Sequence, residues 1–288
     1  MLESFAPTLV KTTAAEIHVA HGGSGPPLLL LHGYPQTHAM WHMVAPTLAE
    51  THTVICPDLR GYGASSKPPG DTEHATYSKR ALARDMVEVM SQLGFESFAL
   101  AGHDRGGRVA HRLVLDHPDA VTRVAFLDIV PTLDVFESVD EKVAMGTYHW
   151  FFLSQPYDLP ERLIGADPSF YLRWHLRSWS GGVDDFFAPD ALAAYERAFA
   201  DPATIHATCE DYRAGATIDL THDTADRDRK LECPVLVVWG ARTKPDDLLA
   251  IWRERASNVS GRSLDAGHFL AEERPEEVTG LLREFLAG

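Results

Sequence analysis

Short runs of β-branched and leucine-rich residues recur at Glu16–Ala20, Pro27–Leu31, Thr53–Cys56, Ser97–Ala101, Arg123–Leu127 and Val235–Trp239, with a last strand-like segment at Gly261–Leu264. Most end in Gly, Asp or His, residues suited to the point where a strand gives way to a turn. Between several of them the apolar period becomes helical: over Ser78–Leu93, the residues Leu82, Met86, Val89, Met90 and Leu93 fall on one face. Apolar strands alternating with amphipathic helices predict a mainly parallel sheet flanked by helices.

The alternation breaks after Asp128. From Ile129 to about Asp226 the chain has no strand-like run, only aromatic-rich helical stretches punctuated by Pro131, Pro156, Pro160, Pro168, Pro189 and Pro202, several of them suited to a helix start. The rhythm resumes at Pro234, without internal repeats. This predicts a helical cap inserted over the sheet's C-terminal edge, where open α/β sheets bind ligands. The chain then divides into a core of residues 1–128 and 227–288 and a cap of 129–226. A second domain with its own core and no bearing on chemistry is the competing organisation.

Composition narrows the classes. Of 288 residues, 45% are hydrophobic and 23% charged, which excludes wholesale disorder and fibrous sequences. The formal charge of −15 offers no basic footprint for nucleic acid. The longest apolar run, Pro26 to Leu31, is far too short to span a bilayer, and no secretory signal is visible at the N-terminus. Three widely spaced cysteines (Cys56, Cys209, Cys233) argue against a disulfide framework. The expectation is a soluble cytoplasmic protein with a core of full size.

Chemistry concentrates at Gly102-His-Asp104-Arg-Gly106, which lies between a strand and a helix pattern and fits the G-x-S-x-G elbow with aspartate at the nucleophile's place. A carboxylate is already anionic at neutral pH and displaces a leaving group from sp³ carbon without a base. The resulting ester needs water and a general base. His268, late in the chain after the last strand, satisfies the required order. Asp128, at the end of Arg123–Leu127, is the favoured partner for that histidine. Asp246 and Asp247, after Val235–Trp239, are the competing pair, although they read as an ordinary acidic helix start. His32-Gly-Tyr34-Pro follows a strand where an oxyanion loop belongs, and the backbone amides of Tyr34 and Arg105 are the expected donors. The remaining histidines, including His38, His42 and His111, read as structural. No HExxH or similar ligand pair occurs, and the chemistry calls for neither metal nor organic cofactor.

Together these residues resemble the α/β-hydrolase superfamily in its aspartate-nucleophile branch, which contains haloalkane dehalogenases and epoxide hydrolases, and within it most nearly the fluoroacetate/haloacetate dehalogenases. The resemblance covers nearly the whole chain: His32-Gly-Tyr-Pro-Gln, Pro57-Asp-Leu-Arg-Gly-Tyr-Gly, Gly102-His-Asp-Arg-Gly-Gly-Arg-Val-Ala-His-Arg, Tyr148-His-Trp150, Cys209-Glu-Asp-Tyr-Arg-Ala-Gly and Gly267-His-Phe-Leu. Tyr34, where the family often has phenylalanine, and Gly107, where alanine is usual, are small departures. The resemblance implies an α/β-hydrolase fold in which Asp104 is nucleophile, His268 base and Asp128 its acid partner. It further implies that Arg105 and Arg108 grip a substrate carboxylate and that His149, Trp150 and Tyr212 hold the halide. The chain would then be a haloacetate dehalogenase that turns fluoroacetate or chloroacetate into glycolate. Relatives are commonly homodimers.

The physical reading agrees. Two guanidiniums three residues apart at a helix start share a face beside Asp104 and offset the repulsion between a carboxylate nucleophile and a carboxylate substrate. Fluoride leaves poorly, so an imidazole, an indole and a phenol, at about 1.5–3 kcal/mol per hydrogen bond to a charged group, matter to its departure. Trp179 is a further candidate to line the pocket. Epoxide hydrolysis with Tyr148, Tyr157 or Tyr212 as acid is the enzymatic alternative, but a neutral epoxide leaves both arginines without a task. A non-catalytic carboxylate-binding relative is the alternative from another class.

Overall fold

Among the described residues eight strands make one sheet: β1 (Ala6–Lys11), β2 (Glu16–Gly22), β3 (Pro27–Leu31), β4 (Thr53–Pro57), β5 (Phe98–His103), β6 (Val121–Leu127), β7 (Val235–Gly240) and β8 (Val259–Leu264). Their spatial order is β1-β2-β4-β3-β5-β6-β7-β8; β2 runs antiparallel to both its neighbours, β1 and β4, and the remaining pairs are parallel. The computed structural model describes Leu2, residues 4–243 and residues 248–288; Asp246 and Asp247 lie outside these. The sheet is mainly parallel, as the sequence predicts. Strand β1 has no counterpart in the sequence reading, because as an edge strand it buries only Val10 and carries little apolar signal.

Central strands read as unbroken apolar runs because both faces are covered. Leu28 to Leu31 of β3 and every residue of β5 are buried. The helix Lys79–Gln92 buries Leu82, Met86, Val89 and Met90, the stripe seen in the sequence. Helix Asp104–Asp116 is buried from Asp104 through Leu115, so its charged residues Arg105, Arg108 and Arg112 need partners inside the protein.

Between β6 and β7 the described residues form eight helices, from Thr132–Glu137 to Ile218–Ala225, and no strand. Helices beginning at Pro168, Pro189 and Pro202 confirm the proline start signals, and Asp167 and Asp201 cap two of them through the amides of Phe170 and Ala203. Buried cap residues Trp150, Leu176, Tyr195 and Tyr212 belong to the same apolar cluster as Leu28–Leu31 and Phe126. No helix among the described residues is long and apolar enough to cross a membrane.

The elbow helix lies against the end of β3 with almost no clearance. A Cβ on Gly106 would stand 2.3 Å from the His32 carbonyl oxygen, and the obstacle is backbone. Gly106→Ala is therefore expected to destabilise the protein by about 3 kcal/mol, the upper end for an overpacked site, read from the midpoint of denaturant unfolding.

Candidate active site

Strand register assembles the site. Leu31 pairs with Gly102 and His103 with Leu127, so the residues that follow β3, β5 and β6 emerge together at one sheet edge. These are the His32-Gly-Tyr34 loop, Asp104 and Asp128. On the far side Leu127 pairs with Val238 and Gly240 with Leu264, which brings the His268 loop alongside. Asp104 and Asp128 both have positive φ, 48° and 54°. A non-glycine residue held there stores about 1–3 kcal/mol of strain, a cost typical of functional positions.

The Tyr34 amide donates to Asp104 Oδ1 at 2.8 Å, leaving Oδ2 directed toward His268 Nε2 at 3.8 Å. That separation is too long for a hydrogen bond, and Nε2 is buried without a partner among the described residues. At the other end of the ring, His268 Nδ1 and Asp128 Oδ2 are 2.5 Å apart. Asp128 Oδ1 accepts from the Gly240 amide at 2.9 Å, and Thr243 Oγ1 lies 3.3 and 3.4 Å from the two oxygens. The arrangement is a nucleophile–base–acid triad, with Asp128 in the place the sequence reading favoured.

Burial opposes ionisation of Asp104, but His268, His103, Arg108 and Arg105 outweigh it and hold the carboxyl down to about 2. His103 is itself pushed down to about 3 by burial and by His268, so it is neutral and its Nε2 donates to the His268 carbonyl at 2.8 Å.

Both arginines face the elbow but neither is idle. Arg105 donates through Nε and Nη2 to Asp211 Oδ2 and Oδ1 at 2.8 and 2.9 Å, and through Nη2 to the Asp211 carbonyl at 2.8 Å. Among the described residues only its Nη1 is buried without a partner. Arg108 Nη1 donates to the Val130 carbonyl at 2.7 Å and to Thr132 Oγ1 at 3.2 Å, leaving Nε unpartnered. Burial and the neighbouring Arg105 push Arg108 down to about 10, still fully charged at neutral pH.

The aromatic donors stand over these cations. Arg105 lies 4.2 Å from the Tyr212 ring centre and Arg108 4.3 Å from that of Trp150. His149 packs on Trp179 at 4.5 Å and Tyr212 at 5.7 Å. Burial, then His175, pushes His149 well below the ordinary histidine range, so it is neutral, and its Nδ1 has no partner. The Tyr212 hydroxyl is likewise buried and unpartnered. Trp179 also meets the His268 ring at 5.5 Å, and its carbonyl accepts the His268 amide at 3.0 Å. The cap thus reaches the base directly. His38 bonds Asp58 through its amide and Nδ1 at 2.9 and 2.8 Å, with His18 3.3 Å from the same carboxylate; these atoms clamp a loop. His111 packs against Phe126 and Trp252.

A family profile described as the alpha/beta hydrolase fold matches residues 26–275. The chain belongs to the α/β-hydrolase superfamily. Within it the chain is closely related to the fluoroacetate dehalogenases: it is 48% identical over 290 residues to "Fluoroacetate dehalogenase" of Burkholderia sp, covering 100% of this chain and 95% of that one. It is 37% identical over 274 residues to "Soluble epoxide hydrolase" of Corynebacterium sp. (strain C12), covering 94% and 93%. Among solved structures it resembles an alpha/beta hydrolase from Nostoc sp PCC 7120 with TM-score 0.97 and 56% identity over 99% of both chains.

Sequence reasoning missed the residues that hold the site from behind. Asp211 sits fully buried between Arg105, Lys79 and Tyr62, whose hydroxyl donates to it at 2.8 Å. Lys79 also lies 3.5 Å from Asp219. Two cations and two carboxylates thus balance within the cluster. The only available signal was that Asp211 adjoins Tyr212 in a run already singled out. Glu273 accepts the amides of Gly267 and Phe269 at 2.7 and 3.0 Å, gripping both neighbours of His268. Glu272 bonds Gln36 of the Tyr34 loop and Tyr195 of the cap.

Burial pushes Glu272 up to about 8, Tyr195 and Gln36 oppose the shift, and nearby Glu273 adds to it. The folded protein therefore holds a proton that the unfolded chain releases near 4.5, and this stabilisation is complete below that value and lost as pH rises through about 8. Between these limits Glu272→Gln is expected to remove a downward slope in stability of up to about 1.4 kcal/mol per pH unit, measured by denaturant unfolding of both proteins at pH 5 to 8.

Proposed function

We propose that the protein hydrolyses a short 2-haloacid, fluoroacetate or chloroacetate, to glycolate and halide. One observation carries this reading: a ring of buried polar atoms around Asp104 that have no partner among the described residues, comprising Arg105 Nη1, Arg108 Nε, His149 Nδ1, Tyr212 Oη and His268 Nε2. Buried polar groups are almost always bonded, so such a ring is a ligand's outline. Its chemistry selects a small anion with a leaving group.

In this reading Arg105 and Arg108 hold the substrate carboxylate. Asp104 Oδ2, the oxygen not engaged by the Tyr34 amide, attacks C2 in line with the carbon–halogen bond. His149, Trp150 and Tyr212 receive the departing halide, and Trp179 lines the pocket. Water then enters between His268 Nε2 and the ester. His268, oriented by Asp128, takes its proton, and the hydroxide adds to the Asp104 carbonyl carbon. The oxyanion forms on Oδ1, beside the Tyr34 amide; the Arg105 amide, in the first helical turn where N–H groups lack intrahelical acceptors, is the second donor. Collapse releases glycolate. The core comprises residues 1–128 and 227–288, and the cap 129–226.

The reading places the enzyme in the reducing cytoplasm, in line with three free cysteines. It also includes a homodimer, because Leu159 and Leu163, and Phe170 and Trp174, form two exposed apolar i,i+4 pairs on neighbouring cap helices.

Halide release from fluoroacetate, chloroacetate and 2-chloropropionate tests the activity, and Asp104→Asn is expected to lower it by at least about 10³-fold, as loss of a nucleophile does. In a single turnover in heavy-oxygen water, glycolate emerges unlabelled and the label enters Asp104; labelled product in that first turnover defeats the mechanism. Light scattering is expected to give twice the chain mass, and Phe170→Glu to shift it toward the monomer.

A further inference from the structure

The proposed haloacid chemistry uses Tyr212 only as one of three hydrogen-bond donors to a halide. Yet Tyr212 is a phenol with its proton firmly held. Burial raises it well above the ordinary range, and the Asp104 charge raises it further, which also shows that the two groups share one electrostatic neighbourhood. Its hydroxyl is buried and has no partner among the described residues. Its ring is fixed by Arg105 at 4.2 Å on one side and by Tyr34 and His149 at 5.3 and 5.7 Å around it. A halide needs donors but takes no proton. A leaving oxygen does take one, and Tyr212 is the group able to give it, since His149 is neutral and Trp150 does not ionise in this range.

Three features restrict what such an oxygen could belong to. The Arg105 and Arg108 donors call for a carboxylate, and Asp104 reaches the carbon next to it. The leaving group sits opposite Asp104, against the cap donors. A three-membered ring oxygen on the carbon adjacent to a carboxylate meets all three conditions at haloacetate size.

We infer that the site also hydrolyses small 2,3-epoxy carboxylates, with glycidate (oxirane-2-carboxylate) as the simplest member, through the same Asp104 ester and with Tyr212 as the proton donor. Asp104 Oδ2 bonds to C2 as the C2–O bond breaks, and the oxygen, still attached to C3, takes the Tyr212 proton. The intermediate is an Asp104 ester bearing a hydroxymethyl group. His268 then activates water, hydroxide adds to the ester carbonyl, and glycerate leaves. The proton freed as the Asp104 carboxyl re-ionises equals the one Tyr212 regains, so glycidate plus water gives glycerate with no net acid. Haloacetate hydrolysis by contrast releases one proton per turnover. The inference rests on the arginine grip of the proposed function, which neutral epoxides do not engage.

The test compares glycidate, propylene oxide and chloroacetate on the whole enzyme, its Asp104→Asn variant and its Tyr212→Phe variant. Fold retention is checked by thermal unfolding. Expected are glycerate from glycidate that depends on Asp104, without acidification of a weakly buffered solution, and a kcat/KM at least about 100-fold above that on propylene oxide. Tyr212→Phe is expected to lower kcat on glycidate by about 10³-fold or more, within the range for losing a general acid, but on chloroacetate by only about 10- to 100-fold, the loss of one halide donor of three. Chloroacetate turnover without glycerate overturns this inference and leaves the proposed function standing. Glycerate without halide release from chloroacetate does the reverse. Equal turnover of glycidate and propylene oxide, or equal losses for both substrates in Tyr212→Phe, overturns the assignment of the arginines or of the proton donor respectively.

Discussion

Keeping a buried carboxylate charged is the constraint around which this molecule is arranged. Asp104 is buried, and an isolated carboxylate there would take up a proton. The Tyr34 amide, the facing His268 ring and the positive charges of Arg108 and Arg105 reverse that tendency. Each of these groups in turn has to be held. The strand register brings the Tyr34 loop and the elbow to one edge, and the near-contact of Gly106 with the His32 carbonyl fixes their spacing.

The same constraint explains the second layer. Arginines without counterions beside a nucleophile would be costly to bury, and Asp211 meets that cost for Arg105 with a bidentate pair. It leaves a single unpartnered nitrogen on that guanidinium. Arg108 is tethered by a carbonyl and a hydroxyl and keeps its full charge. One cation is thus balanced from behind while the other is available to a ligand, which limits the excess of positive charge and fits a substrate with one negative charge. The base is treated alike: Glu273 grips the amides on either side of His268, and Trp179 takes the amide between them. Because Trp179 belongs to the cap, any movement of the cap acts on the base as well as on the pocket.

Much of this is legible in the sequence. Strand periodicity marked seven of the eight strands, and the break after Asp128 marked the helical insertion. The missed strand, β1, is an edge with one buried side chain, and pattern reading depends on burial. Asp104, His268 and Asp128 could be named because an elbow, a late histidine and a strand end are local signals in chain order. Asp211, Glu273 and Glu272 could not. Asp211 and Glu272 have partners far away along the chain, 106 residues off at Arg105 and 236 at Gln36, whereas Glu273 bonds amides six and four residues away but reads as one more acid of a short helix. A carboxylate on a helix looks the same in sequence whether it faces water or a buried guanidinium.

What the chain determined unaided is therefore the set of reactive groups and the scaffold that carries them, since alternating apolar runs, glycine spacing and an aspartate at the elbow are properties of neighbouring residues. What only the tertiary structure decided is which hydrogen-bonding atoms are already spent and which are left over. Arg105 shows the difference: the sequence offers a free guanidinium, whereas the folded protein offers one N–H nitrogen, because the pairing that consumes the others exists only once the cap helix Pro202–Ala216 has closed over the elbow.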